Sequence, residues 1–126
     1  MTYIVNHLYI FLSIFFAVSS QLIIKWKMNE YDLSHYPSIL EKFSFAFSML
    51  FNPYIILSIF LTLLSGLSWM IAMTKFDISY AYPFTTLGYV IILLLSAILF
   101  NEHITIYKIL GIIFITIGIY ITSKSI

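Results

Sequence analysis

The chain has no cysteine and no arginine, and little charge of either sign. Without cysteine, neither a disulfide framework nor a thiolate metal site can form. Without arginine, and with a net charge of only +1, there is no basic stripe to neutralise nucleic-acid phosphates. Catalytic constellations are missing as well. No nucleophile–base–orienter set, metal-ligand cluster or phosphate loop can be traced, and His7, His35 and His103 lack metal-ligand spacing. The expectation is a protein that is not an enzyme and uses no cofactor or metal.

Apolar residues are what the chain does have. Of its 126 residues 62% are hydrophobic and 9% charged, more apolar surface than a soluble domain of this size can bury. Lipid is therefore the expected solvent. A bilayer core takes roughly 20 apolar residues per helix, and four such runs stand at about 4–26, 53–74, 78–100 and 104–123. They are too long for barrel strands and lack a period of two. The expected architecture is all-α, a single transmembrane domain over residues 1–126. The connections "KFD" and "NEH" are so short that the helices they join must be antiparallel neighbours. The first run has no cationic leader and is too long for a signal sequence core, so a retained helix is expected.

One connection is long, from Trp26 to Asn52. After Pro37, "SILEKFSFAFSMLF" places Ile39, Leu40, Phe43, Phe47, Leu50 and Phe51 on one helical face and Ser38, Glu41, Lys42 and Ser48 opposite. Phe45 and Met49 blur that division. The pattern predicts a short amphipathic helix lying in the membrane interface; the competing reading is a disordered loop with scattered aromatics. Lysine bias sets orientation, and here it is slight: Lys25, Lys27, Lys42 and Lys108 on one side, Lys75 and Lys124 on the other. Dual insertion, a partner that fixes orientation, and sufficiency of the small bias all remain open.

Polar groups inside hydrocarbon usually face a protein interior or a wet cavity. In the first run Ser13, Ala17, Ser20, Gln21 and Lys25 lie near one stripe, and Gln21 and Lys25 are i,i+4 neighbours. Amide and ammonium donors together suit a phosphate or other anionic headgroup. Alternatively, Lys25 snorkels to the interface. The third run opens "SYAYPFTTLGY", in which Pro83 predicts a kink and Tyr82, Thr85, Thr86 and Tyr89 offer hydroxyls within two turns. These suit a pathway wall, or else the tyrosines are interfacial belt residues and the threonines bond back to their own helix. Glu102 is a candidate for substrate binding or for carrying a proton or cation, with a solvated turn carboxylate as its alternative. In the fourth run Gly111 and Gly118 open one face two turns apart, for dimer packing or for packing within the chain. Four short helices enclose a polar cavity with difficulty, and two copies or a partner chain would solve this.

The order of these motifs resembles the drug/metabolite transporter superfamily. Its small multidrug resistance group carries a glutamate in the first helix, eight residues before a lysine. Counting back from Lys25 reaches Ala17, so the carboxylate that couples cation export to protons in that group is absent. The chain is more similar to the subunits of the 4-amino-4-deoxy-L-arabinose-phosphoundecaprenol flippase. The shared features are Gln21, Leu22 and Lys25 after "AVSS", Ala81-Tyr82-Pro83 opening the third helix, Glu102 after it, and glycines in the fourth. The resemblance covers the chain outside the loop from Lys27 to Asn52. It implies a lipid-linked sugar or related polyprenyl phosphate moved across the inner (plasma) membrane without an ATP-binding domain, by a homodimer or a heterodimer with a similar four-helix subunit. On this reading Gln21, Lys25, Tyr82, Thr85, Thr86 and Glu102 are the candidate substrate contacts. The rival expectations are a multidrug-type exporter working through Glu102 and a non-transporting accessory subunit.

Overall fold

A computed structural model describes residues 2–124, and all of its regular structure is helical. Helix α1 runs Thr2–Met28, α2 Ile39–Ser48, α3 Pro53–Ala72, α4 Ile78–Ala81, α5 Thr86–Leu99 and α6 Ile106–Ser123. Four stretches are long and apolar enough to cross a bilayer: α1, α3, α4 with α5, and α6. At 27 residues α1 is about 40 Å long, beyond the roughly 30 Å of a hydrocarbon core. Its last turns, with Lys25 and Lys27, thus reach headgroup depth when the rest is immersed.

Local signals fix most helix ends. Asn52 caps α3 by accepting from the Tyr54 N–H at 2.9 Å, and Pro53 occupies the first turn, where its missing donor costs nothing. Thr105 caps α6 through the Lys108 N–H, and Ser38 caps α2 through the Glu41 N–H. Helix α5 stops at Asn101, which takes a left-handed φ of 55° just past the C-cap; asparagine tolerates this better than a branched residue. The third span is broken. Pro83 has no N–H to continue α4, and residues Tyr82–Thr85 tighten into a 3-10 turn before α5 resumes.

Helices α1 and α3 pack along their lengths and are stitched by hydroxyls. Ser13 donates to the Ser65 carbonyl at 2.9 Å, and Ser65 donates back to the Ser13 carbonyl at 2.7 Å. Two turns on, Ser20 meets Thr62 at 2.6 Å while Thr62 donates to the Ser58 carbonyl. Helix α5 closes on the other side of α1, where a Cβ on Gly88 would already touch Val18 at 3.4 Å and Ile14 at 3.6 Å. Ile10, Ile14 and Val18 of α1, Ala72, Tyr80, Ala81, Phe84 and Ile119 form the core.

Helix α6 is least embraced. Ile119 is its buried residue, and Phe114 is 72% exposed. Helix α2 carries an outward apolar face of Ile39, Leu40, Phe43 and Phe47, continued by Phe51 of the 3-10 turn Met49–Phe51 that follows it. Phe45 and Met49, one turn apart, point the other way. Phe45 sits on the rings of Tyr31 and Tyr36, with centroids at 5.4 and 5.5 Å, and Met49 is buried. The two residues that blur the amphipathic pattern are those that hold α2 to the protein.

Candidate functional site

A groove of about 610 Å³ lies between α1, α3 and the broken third span. Helix α1 supplies Ser13, Ala17 and Gln21, and α3 supplies Thr62, Ser65, Gly66 and Trp69. The third span supplies Tyr82 and Thr85 from its 3-10 turn, then Gly88, Tyr89 and Ile92 from α5. The 3-10 turn matters here because it carries Tyr82 outward over Trp69, ring centroids 6.1 Å apart, and leaves Tyr82 61% exposed on the groove. Small residues line the space: Ala17, Gly66, where an added Cβ would meet no atom within 4 Å, and Gly88, whose lack of a side chain lets α5 approach α1.

The groove is neutral and offers both signs of hydrogen bonding. Among the described residues, none of its lining side chains carries a charge. Thr85 donates its hydroxyl proton to the Tyr82 carbonyl at 2.6 Å, so toward the groove it is an acceptor. Ser65 and Thr62 likewise have their protons committed to carbonyls. Donors come from the Gln21 amide and from the hydroxyls of Tyr82 and Tyr89, which have no hydrogen-bond partner among the described residues. Such a surface offers hydrogen-bonding partners to polar groups beside a larger apolar wall.

The structure gathers some of the residues singled out from sequence and leaves others apart. Gln21, Tyr82 and Thr85 line the one groove. Lys25 is exposed one turn beyond Gln21, outside that lining, and its ammonium makes no ion pair among the described residues. Its neighbour Lys27 instead pairs with Glu30 at 3.0 Å and lies 4.9 Å from the centre of the Tyr54 ring. Thr86 donates to the Pro83 carbonyl at 2.6 Å and does not line the groove. Glu102 is exposed in the turn between α5 and α6. Gly111 and Gly118 face open space, with no atom within 4 Å of a Cβ built on either. Thr62, Ser65 and Trp69 lacked a sequence signal apart from being polar or aromatic within an apolar run. Among the described residues, no three metal-ligating side chains gather.

Four lipid-length helices, three of them shaping an open and uncharged groove, describe a multi-pass membrane transporter rather than a soluble domain with a catalytic centre. The chain belongs to the EamA-like transporter family, whose model matches residues 8–124. It is a multi-pass protein of the inner membrane, and its family is one of transporters, not enzymes. It is 30% identical over 116 residues to a probable 4-amino-4-deoxy-L-arabinose-phosphoundecaprenol flippase subunit ArnF of Serratia proteamaculans, covering 89% of this chain and 87% of that protein. A protein of the same description from Photorhabdus laumondii subsp. laumondii is 41% identical over 64 residues, 49% of this chain and 51% of the relative. No solved structure gives a significant match.

Proposed function

We propose that this transporter flips a polyprenyl-phosphate-linked aminosugar across the inner membrane and works as a dimer. The observation that carries the reading is the groove itself: a neutral trough of about 610 Å³, roomy enough for a sugar headgroup, with both donors and acceptors and bordered by exposed apolar side chains. The printed descriptions of the relatives name a lipid-linked aminosugar. The sugar lies against Tyr82, Thr85 and Tyr89, where acceptor oxygens meet its hydroxyl and ammonium protons. Gln21 holds the phosphate from inside the groove and Lys25 from its mouth. The prenyl tail stays in lipid, so the site need not close around the whole substrate. Pairing through the uncovered Gly111 and Gly118 face of α6 supplies the second half of the pathway. Glu102, exposed in its turn away from the groove, favours this reading over a multidrug-type exporter.

The test is translocation of a short-chain polyprenyl-phosphate aminosugar by the chain reconstituted in vesicles, alongside native mass spectrometry of the gently extracted protein. A charged hydrogen bond is worth about 1.5–3 kcal/mol, so Lys25→Ala should slow translocation by roughly 10- to 150-fold. Gln21→Ala should lose rate as well, with both variants inserting normally. The wild-type spectrum should contain a dimer retaining a lipid of polyprenyl-phosphate mass. Unimpaired flipping by both variants would overturn the site, and a monomer with no retained lipid would overturn the assembly.

A further inference from the structure

At the end of the molecule that carries Lys75, His7 is buried between the spans, 9% exposed, and the groove reading makes no use of it. Its Nδ1 lies 2.8 Å from the Tyr3 carbonyl, which can only accept, so Nδ1 carries the hydrogen. Nε2 is then the lone-pair nitrogen, and it accepts from the Tyr80 hydroxyl at 3.0 Å. This bond joins α1 to α4 across 73 positions of sequence. The rings of Phe76 and Phe84 stand edge-on around the imidazole, with centroids at 4.6 and 6.2 Å. Ala72 and Ala81, both fully buried, close the packing beneath.

Tyr80 and Phe76 also wall a second cavity of about 470 Å³, opening at the same end and lined by Asn6, Lys75 and Asp77. On the far side of the aromatic packing the groove ends at Trp69 and Tyr82. Along α1, His7 follows Asn6 of this polar vestibule and precedes Ser13 of the groove, and its own side chain borders a third cleft of about 390 Å³ with Tyr80, Phe84 and Ser123. Tyr80 lies on α4, which leads directly into the Pro83 turn that presents Tyr82 and Thr85 to the groove. A movement that parts the seam moves that wall.

We propose that His7 is a proton-binding site that governs opening of the groove toward the Lys75 end. It rests on the groove being the transport site. In the closed form the neutral imidazole satisfies both of its nitrogens. A proton taken from vestibule water adds to Nε2, and the ring then has two donors and no acceptor. Tyr80 must turn its own O–H away and accept instead, and a cation is left among phenyl edges with little solvation. Parting the seam lets vestibule water reach the imidazolium. By linkage, uptake favours the open form and opening favours uptake by the same factor. The groups able to modulate this are Tyr3 on α1, Tyr80 on α4, and Lys75 and Asp77 in the vestibule; on α6 the neutral Ser123 borders the cleft beside His7.

The absence of cysteine makes the test direct. With His35→Gln and His103→Gln, His7 is the sole histidine, and nitrogen NMR of the labelled full chain in lipid nanodiscs follows its protonation between about pH 8 and 5. A single reporter, Ala81→Cys, is labelled in vesicles with a membrane-impermeant maleimide applied to each face in turn. The expected result is an imidazole that gains its second proton as the pH is lowered. Labelling from the Lys75 face should rise in parallel by at least about fivefold, the lower end of common couplings. His7→Phe should abolish the rise. An imidazole that stays neutral, labelling that ignores its titration, or an undiminished rise in His7→Phe would each overturn the proposal. Neither measurement involves a lipid-linked headgroup, so a failed translocation assay leaves these readouts interpretable, and the converse holds.

Discussion

The reciprocal serine pair that joins α1 to α3 beside the groove permits a quantitative test of how the site is held. Ser13→Ala removes the 2.9 Å donation to the Ser65 carbonyl but leaves the Ser13 carbonyl in place, so Ser65 keeps its own 2.7 Å bond. Ser65→Ala has the mirror effect. Both hydroxyl protons are committed to carbonyls, so the 3.1 Å approach of the two oxygens has no proton of its own and contributes little. Interhelical hydrogen bonds in membrane proteins average about 0.6 kcal/mol, roughly a threefold change in the unfolding equilibrium. Each single variant should therefore lose about 0.6 kcal/mol and the double variant about 1.2 kcal/mol, with a coupling energy below about 0.5 kcal/mol. Reversible unfolding in mixed micelles, run as a double-mutant cycle, reads all three. A coupling above about 1 kcal/mol would refute the reasoning, because it would mean that the hydroxyls bond each other and not the backbone.

Three further outcomes follow from the packing and caps. Gly88→Leu places extra carbons against Val18 and Ile14, where a Cβ alone already touches at 3.4 and 3.6 Å. It should cost about 1–3 kcal/mol by overpacking, while Gly88→Ala is tolerated, as thermal unfolding in detergent would show. Ser38→Ala removes the cap on the Glu41 N–H and should weaken α2 by about 1 kcal/mol, seen as faster amide exchange over residues 39–45 with α3 unchanged. Asp32 has its carboxyl held below the usual carboxylate range, chiefly by the Ser34 N–H that it accepts from and then by the serine side chain. A depressed folded value means that the turn Leu33–His35 is supported above the usual carboxylate range and released as pH falls through the lowered value. The protection factor of the Ser34 amide, taken relative to intrinsic exchange at each pH, should fall under acid, and Asp32→Asn should flatten that fall.

The spans were legible because lipid imposes a single strong rule: a run of about twenty apolar residues with no charge is a helix. Pro53 and Pro83 were legible for a related reason, since a missing N–H has a fixed consequence wherever it falls. What single-chain patterning could not supply is partnership between helices. Ser13 is visible as a small polar residue, but nothing in the period of α1 pairs it with Ser65 rather than Ser68, and His7 gives no hint of Tyr80. Phe45 and Met49 spoil the amphipathic pattern of α2 because a pattern has one face, whereas this helix contacts both protein and surroundings. Lys25 shows the limit of the i,i+4 rule. Four residues rotate the helix about 40° past a full turn and raise the side chain by about 6 Å. That displacement separates a groove-lining Gln21 from an exposed lysine outside the lining.

Where the groove lacks a wall also constrains the transport problem. Its three sides come from α1, α3 and the broken third span, and α6 contributes no lining residue. A chain that moved a wholly water-soluble solute would have to seal the fourth side, because hydrocarbon cannot solvate a polar cargo in transit. A substrate with a long apolar tail relaxes that demand: only the headgroup must be shielded, and the open side lets the tail follow it through lipid. The span left outside the groove is also the one whose two glycines meet nothing. A single division of labour accounts for both facts, with three spans shaping the trough and the fourth free to bring a second trough alongside. If so, bulky replacements at Gly111 and Gly118 together should abolish the proposed dimer, as read by native mass spectrometry, and slow headgroup flipping. The fold and stability of the single chain should stay as they are, because no atom of the protomer lies in the way.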